Sequence, residues 1–289
     1  MMCLSVDVEG WSHYLLRSGK ETTPSYQSSR FFDLSISQSL RSLLKVLGKY
    51  GATSTFFVLG EIARSSPEIV EEIHNLGHEI ASHGYSHVQL TKTDINDFEK
   101  KEKMNMALLE KITGERPKGF RAPTFNINAE VINSLERIGY VYDSSVVPSI
   151  MVPGWFGLVN APLHPYHPGR LDISKTCEQR NICEVPLAVF PLLRLPVVGG
   201  WFLRNIGVTY TKTAIKLLLR KRIPVILMIH LQDLSVIRPK VEGAPFHMFR
   251  NSGRYALKAV EIILHNFKTR TMPISEIIST WDMHAINGL

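Results

Sequence analysis

The stretch TSTFFVLGEIARSSPEIVEEIHNLGHEIASHGYSH, residues 53–87, decides the fold class. Residues 53–59 are a β-branched and aromatic run, the composition of a buried strand. Ser66-Pro67-Glu68 then opens a helix, with Ser66 in the N-cap position and Pro67 at the first helical residue, where its missing N–H costs nothing. Gly77 stops that helix, and Glu79-Ile80-Ala81-Ser82 reads as a second strand. Two strands joined through a helix pair in parallel by a right-handed crossover.

The same alternation extends in both directions. Upstream, Leu4-Ser5-Val6-Asp7-Val8 is a short strand, and helical periodicity runs over 34–50 through Ile36, Leu40, Leu43, Leu44 and Leu47. Downstream, a long amphipathic helix over 93–113 ends at Gly114. Strands follow at 119–121 and 140–142, separated by a helix over 128–138 that ends at Gly139. From about 147 to 205 the pattern breaks into a Pro- and Gly-rich insertion with short strands such as 183–185. Alternation returns with a helix at 211–221, a strand at 225–229, a helix at 253–267 and a last strand and helix near 271–280. Roughly seven strand–helix units predict an α/β fold, a closed or nearly closed barrel of the TIM type. Residues 1–289 read as one domain. In either a barrel or an open sheet the site lies at the carboxyl ends of the strands.

Composition sets the outer bounds. At 44% apolar and 20% charged residues, the chain is an ordinary globular protein. A net charge of +7 favours anionic partners. The basic residues are scattered, however, and the run Arg220-Lys221-Arg222 reads as a solvated helix face, so no nucleic-acid partner is expected. Cys3, Cys177 and Cys183 make no disulfide framework, although Cys177 and Cys183 are near enough to pair. No signal segment precedes the first strand and no apolar run reaches about 18 residues. The expected location is cytoplasmic, with contact at the inner membrane face left open.

Reactive residues collect where the barrel rule puts a site. Asp7 and Glu9 follow the first strand, His83 and His87 the third, Arg121 ends the fourth, Asp143 follows the fifth and His230 ends the late apolar strand. His83 and His87, four apart, meet one ion if their segment turns helically, each binding at about 2.0–2.1 Å. His74 and His78 share that spacing beside the Gly77 helix stop and receive no chemistry. A carboxylate is the natural third ligand, because it adds charge and leaves positions open for water. Asp7 and Glu9, two apart, share one side of an extended segment. Each residue alone has a plainer reading: Arg121 an internal ion pair, His230 a satisfied core histidine.

Taken together, Ser5-Val6-Asp7-Val8-Glu9-Gly10-Trp11, His83-Gly84-Tyr85-Ser86-His87, Phe120-Arg121-Ala122-Pro123-Thr124-Phe125 and Ile229-His230, in this order, resemble the motif series of the polysaccharide deacetylases. That is the carbohydrate esterase family with a nodulation-type deacetylase domain. The D-V-E first motif and Val198-Gly199-Gly200-Trp201-Phe202-Leu203-Arg204 are similar to a subgroup found near exopolysaccharide biosynthesis genes.

The resemblance implies a distorted (β/α)7 barrel and a divalent metal, commonly zinc, with cobalt, nickel or manganese as substitutes. It implies Asp7 as catalytic base, His83 and His87 as metal ligands, and Arg121 as the arginine that holds the base. Glu9 stands in for the usual metal-binding aspartate, with one extra residue between the acids. His230 would be the general acid, and Asp143 would tune it or support the site. The expected reaction is hydrolytic removal of an N-acetyl group from an amino sugar, in a glycan or a lipid- or nucleotide-linked precursor. Deformylation or cyclic-amide hydrolysis on the same scaffold, and a catalytically inactive carbohydrate-binding protein, are the alternatives. Trp155, Phe156, Tyr166, Trp201 and Phe202 offer planes for sugar stacking or for core packing. The apolar run 190–198 offers core, or a lip for a membrane and a lipid-linked substrate.

Overall fold

A computed structural model describes residues 1–11, 29–152, 157–197, 199–239, 245–267 and 271–286. In chain order the elements are β1 (Met2–Val8), α1 (Ser29–Lys49), β2 (Thr55–Val58), α2 (Gly60–Ser65), α3 (Pro67–Asn75) and β3 (Glu79–Ser82). Then come α4 (Ile95–Thr113), β4 (Gly119–Phe120), α5 (Ala129–Ile138), β5 (Tyr142–Asp143), β6 (Cys183–Glu184), α6 (Gly199–Asn205) and α7 (Val208–Arg220). The chain finishes with β7 (Val225–His230), α8 (Phe246–Phe249), α9 (Arg254–Phe267) and α10 (Ile274–Ile286).

All seven strands pair in parallel, in the order β6-β5-β4-β3-β2-β1-β7. β1, β2 and β7 are buried on both faces except at His230, which suits their largely apolar composition. The main core lies where α1, α3 and α9 cover this sheet, through Leu40, Leu43, Val70, Ile73, Val260 and Ile263 against Leu4, Phe56, Leu227 and Ile229.

The strand–helix alternation over 53–87 is as expected, and so are the stops. Gly114 and Gly139 take left-handed C-cap conformations, and Asn128 caps α5 by accepting from Val131 N–H. Ser66 precedes Pro67 but its hydroxyl makes no capping bond; its carbonyl accepts from Ile69 N–H instead. The sheet does not close strand to strand, because the edge strands β6 and β7 do not pair among the described residues. Ala188 N–H, just past β6, donates to Ile226 C=O at 2.9 Å and draws the two edges together.

The short strand expected at 183–185, within the segment read as an insertion, is β6, and it pairs with β5 as part of the main sheet. Thr271, expected in a final strand, makes only one parallel bridge, to Met2. Its carbonyl accepts from Thr53 N–H, so it fills the gap below β2 at the amino end of the sheet.

Register is what matters for the site. Asp7 lies opposite His230 and Phe57; Ser82 opposite Phe120, Phe120 opposite Asp143, and Asp143 opposite Glu184. Asp7, His83, Arg121 and His230 therefore leave their strands along one rim.

Candidate metal and acid–base site

The rim begins with Asp7. Arg121 is fully buried and distributes its guanidinium with little freedom. Nη1 donates to Asp7 Oδ1 at 2.7 Å and to Ser5 Oγ at 2.9 Å, Nε to Ser144 C=O at 2.8 Å, and Nη2 to Ser144 Oγ at 3.0 Å. Its plane sits 4.0 Å from the centre of the Phe57 ring. Both partners of this ion pair are buried, so the pair holds only because the remaining donors are also satisfied.

Beyond Asp7 the chain turns sharply, with Glu9 N–H donating back to Asp7 C=O at 3.0 Å. This turn absorbs the extra residue between the two acids. Glu9 Oε2 comes 2.8 Å from His87 Nε2, and Glu9 Oε1 comes 3.1 Å from His230 Nε2. Burial opposes ionisation of Glu9, but His87 and His230 hold it well below the usual carboxylate range.

His83 is buried, and its Nδ1 lies 2.9 Å from Arg121 C=O. A carbonyl only accepts, so Nδ1 carries the proton and Nε2 presents a lone pair. Burial pushes the His83 pKa down, which keeps the ring neutral. Ligand atoms of Glu9, His83 and His87 all lie within 4.8 Å of one another. Two imidazoles and one carboxylate around one point, with the buried ring oriented by a backbone carbonyl, fit a divalent ion that keeps open positions.

His230 closes the rim. Its Nδ1 donates to Asp233 Oδ2 at 3.2 Å, which leaves Nε2 facing Glu9 and, at 3.9 Å, Asp7 Oδ2. Burial disfavours the charged ring, but Glu9, Asp233 and Asp7 outweigh it and raise the pKa to about 9. Asp233 is itself clamped, with Oδ1 accepting from Arg204 Nε at 2.7 Å and Oδ2 from His230 N–H at 3.0 Å. Despite burial, Arg204 and His230 hold Asp233 down to about 2.

Asp143, expected to tune His230 or to support the site, makes its hydrogen bonds away from His230. It accepts from Ser145 Oγ at 2.7 Å and shares a hydrogen bond with Glu184 on β6. Ser145 Oγ in turn accepts from Ala122 N–H at 2.8 Å. Asp143 thus props the 121–125 loop, while the carboxylate on His230 is Asp233. Burial raises both Asp143 and Glu184, so the pair retains a proton.

Asp233 and Arg204 escaped the sequence reading. One signal was present: Gly200, in the Gly-Gly-Trp-Phe-Leu-Arg motif, has no room for a side chain, since a Cβ there would sit 1.9 Å from Asp233 Oδ2. Of the aromatic residues considered for sugar stacking, Tyr166 and Phe202 are buried in the core and Trp201 packs edge-on against Phe202. Trp155 and Phe156 lie outside the described residues. Cys177 and Cys183 form no disulfide with each other.

Family profiles cover most of the chain in two adjoining blocks. Residues 20–142 match the family described as polysaccharide deacetylase. Residues 144–272 match a domain of unknown function, DUF3473. Asp7 and Glu9 precede the deacetylase match, His83, His87 and Arg121 lie in it, and Arg204, His230 and Asp233 lie in the second block.

A peptidoglycan deacetylase-like protein of Gibberella zeae is 38% identical over 106 residues, 36% of this chain and 31% of that protein. The peptidoglycan deacetylase of Helicobacter pylori is 26% identical over 153 residues, 53% of this chain and 52% of that protein. The chain thus spans between about a third and about a half of these curated relatives. Among solved structures, a protein assigned as a polysaccharide deacetylase from Mycobacterium smegmatis superposes with a TM-score of 0.67 at 19% identity. That match covers 98% of this chain and 90% of the other. The Puue allantoinase superposes at 0.62 with 16% identity, covering 94% and 85%. These likenesses show a shared fold.

Proposed function

We propose that this chain is a zinc-dependent hydrolase that removes N-acetyl groups from an amino sugar in a glycan or glycan precursor. The observation that carries the reading is the convergence of Glu9, His83 and His87 to within 4.8 Å beside the Asp7–Arg121 pair and His230. Glu9, His83 and His87 would hold the ion. When bound, a zinc ion polarises the acyl oxygen and acidifies water.

The chain's own residues supply the rest. Asp7, oriented by Arg121, takes a proton from the attacking water at its Oδ2. His230 donates its Nε2 proton to the amine nitrogen as the C–N bond breaks, and such acid–base help is worth about 10²–10⁴-fold. We assign the oxyanion contact to the backbone N–H of Thr124. The supporting observation is the turn in which Thr124 and Phe125 both take φ of 58°, a left-handed conformation that costs energy for residues other than glycine.

A lipid-linked precursor is the narrower form of this reading. Leu192 and Leu193 are 70% and 65% exposed on the 189–196 hairpin, beside exposed Ile150 and Met151. Ile150 N–H bonds Arg194 C=O, so the four residues form one apolar tip suited to a membrane surface. Among the described residues no helix is long and apolar enough to cross a membrane.

The test is acetate release from N-acetylglucosamine oligomers and lipid-linked amino sugars, on metal-stripped protein with zinc restored, beside His83→Ala. Activity that returns with zinc and is absent from the variant is expected. Formate in place of acetate from an N-formyl substrate would move the assignment to a deformylase. Tight glycan binding without acyl release would mark an inactive binding protein.

A further inference from the structure

We propose that Glu102 and Asn105, one turn apart on α4, are positioning residues that fix the backbone of the His83–His87 turn and thereby set its affinity for a metal ion. The inference rests on the reading of His83 and His87 as ligands.

Where β3 ends at Ser82, the chain leaves the sheet through Gly84, whose φ is +81°. A turn at a strand end exposes polar backbone groups that the ladder no longer pairs. Here α4 and α2 pair them. Gly84 N–H donates to Ser82 Oγ at 3.0 Å, and Gly84 C=O accepts from Gly60 N–H at 3.0 Å and from Asn105 Nδ2 at 3.1 Å. Tyr85 C=O accepts from Glu61 N–H at 3.0 Å.

Ser82 Oγ also accepts from Asn105 Nδ2 at 2.8 Å. With both acceptor sites taken by N–H donors, its one proton must go to Glu102 Oε1. Tyr140 O–H donates to the same oxygen at 2.6 Å. Glu102 is therefore the terminal acceptor of a network that begins at the backbone between the two histidines.

That role accounts for an otherwise unfavourable choice. Glu102 and Asn105 are 1% and 0% exposed on the inner face of α4, among Phe98, Met106 and Leu109. Burying a carboxyl and an amide there is costly unless they are hydrogen-bonded, and an apolar residue would fill the stripe without that cost. Gly60 is shaped to the same end. A Cβ on it would come 2.7 Å from Asn105 Oδ1 and 2.6 Å from Tyr85 Cδ2. His83 is thus held from two directions, its ring by Arg121 C=O and its chain neighbours Ser82 and Gly84 by the Glu102–Asn105 pair.

The experiment compares Glu102→Ala, Glu102→Gln and Asn105→Ala with wild type, in the full chain. Zinc affinity is measured by calorimetry against a competing chelator, with circular dichroism to confirm folding. Exchange of the Gly60, Glu61 and Gly84 amides is followed on metal-free protein. Both alanine variants should lose about 10–100-fold in zinc affinity, as removal of partners behind a ligand does, and their amides should exchange faster. Glu102→Gln keeps a carbonyl acceptor for Ser82 and Tyr140 and should retain wild-type affinity. Folded alanine variants with unchanged affinity and unchanged exchange would overturn the proposal, as would a Glu102→Gln variant no better than Glu102→Ala. If Glu102→Ala does not fold, Asn105→Ala decides the matter. Wild-type protein that takes up no zinc would remove the metal reading, while the exchange data would still decide whether these residues hold the turn.

Discussion

Arg204 Nε lies 2.7 Å from Asp233 Oδ1, and both side chains are buried beneath His230. The carboxylate between a guanidinium and an imidazole sets which nitrogen of His230 carries which proton. Nδ1–H is committed to Asp233, so only Nε2 faces the rim.

The first prediction follows from that assignment. A general acid works while protonated, so the rate falls as pH rises through its pKa, which the Asp233 carboxylate raises. Removing the negative charge with Asp233→Asn lowers that pKa and moves the alkaline limb of kcat/KM to lower pH. Asp143→Asn, which alters no group touching His230, should leave the limb in place. A limb that moves in Asp143→Asn but not in Asp233→Asn would reverse the roles.

Stability should follow the same pair. His230, raised from 6.5 to about 9, contributes stability fully below pH 6.5 and loses it as pH rises towards 9. Asp233, lowered from 3.8 to about 2, contributes above 3.8 and loses it as pH falls towards 2. Their joint contribution is therefore greatest between those limits, in the mildly acidic range. Urea denaturation across pH, wild type against Asp233→Asn, should show the largest difference there.

Arg121→Met tests the opposite side of the rim. It leaves Asp7 buried without its partner, and uncompensated buried charges of this kind cost about 3–5 kcal/mol. Denaturant titration at neutral pH reads the loss directly. A cost below about 1 kcal/mol, the range of exposed pairs, would mean that water reaches Asp7 freely.

Gly200→Ala should disable the acid while leaving the metal ligands alone. The added Cβ would lie 1.9 Å from Asp233 Oδ2, so the carboxylate must move away from His230 Nδ1. We expect kcat to fall by about 10²-fold or more, within the range of lost acid catalysis, with zinc affinity unchanged. Equal losses in both would point to a general collapse of the rim.

Zinc itself should stabilise the fold. At about 100 times its dissociation constant it adds about 2.7 kcal/mol, visible as a rise in Tm on metal-stripped protein. The rise should vanish in Glu9→Ala and in His87→Ala. A full rise in Glu9→Ala would remove Glu9 from the ligand set.

Local pattern was enough for much of this molecule. The apolar runs of β1, β2 and β7, the N-cap at Asn128 and the left-handed glycines at 114 and 139 are decided by neighbours in the chain. Because strand ends are local too, the sequence alone determined that Asp7, Glu9, His83, His87, Arg121 and His230 stand where the strands stop. Which buried polar groups meet was decided only by the tertiary structure. Asp143 and Asp233 both look like acids beside a strand end, but sheet register pairs Asp143 with Glu184, while the turn after β7 folds Asp233 back onto His230. Arg204 and Glu102 sit on helices, and sequence periodicity marks a buried face without naming what lies across from it. The short strand at 183–185 was legible in the sequence, but its place in the main sheet was not, since it joins only because β5 offers an unpaired edge. Hydrogen bonds to distant partners have no sequence period, and those bonds orient the site.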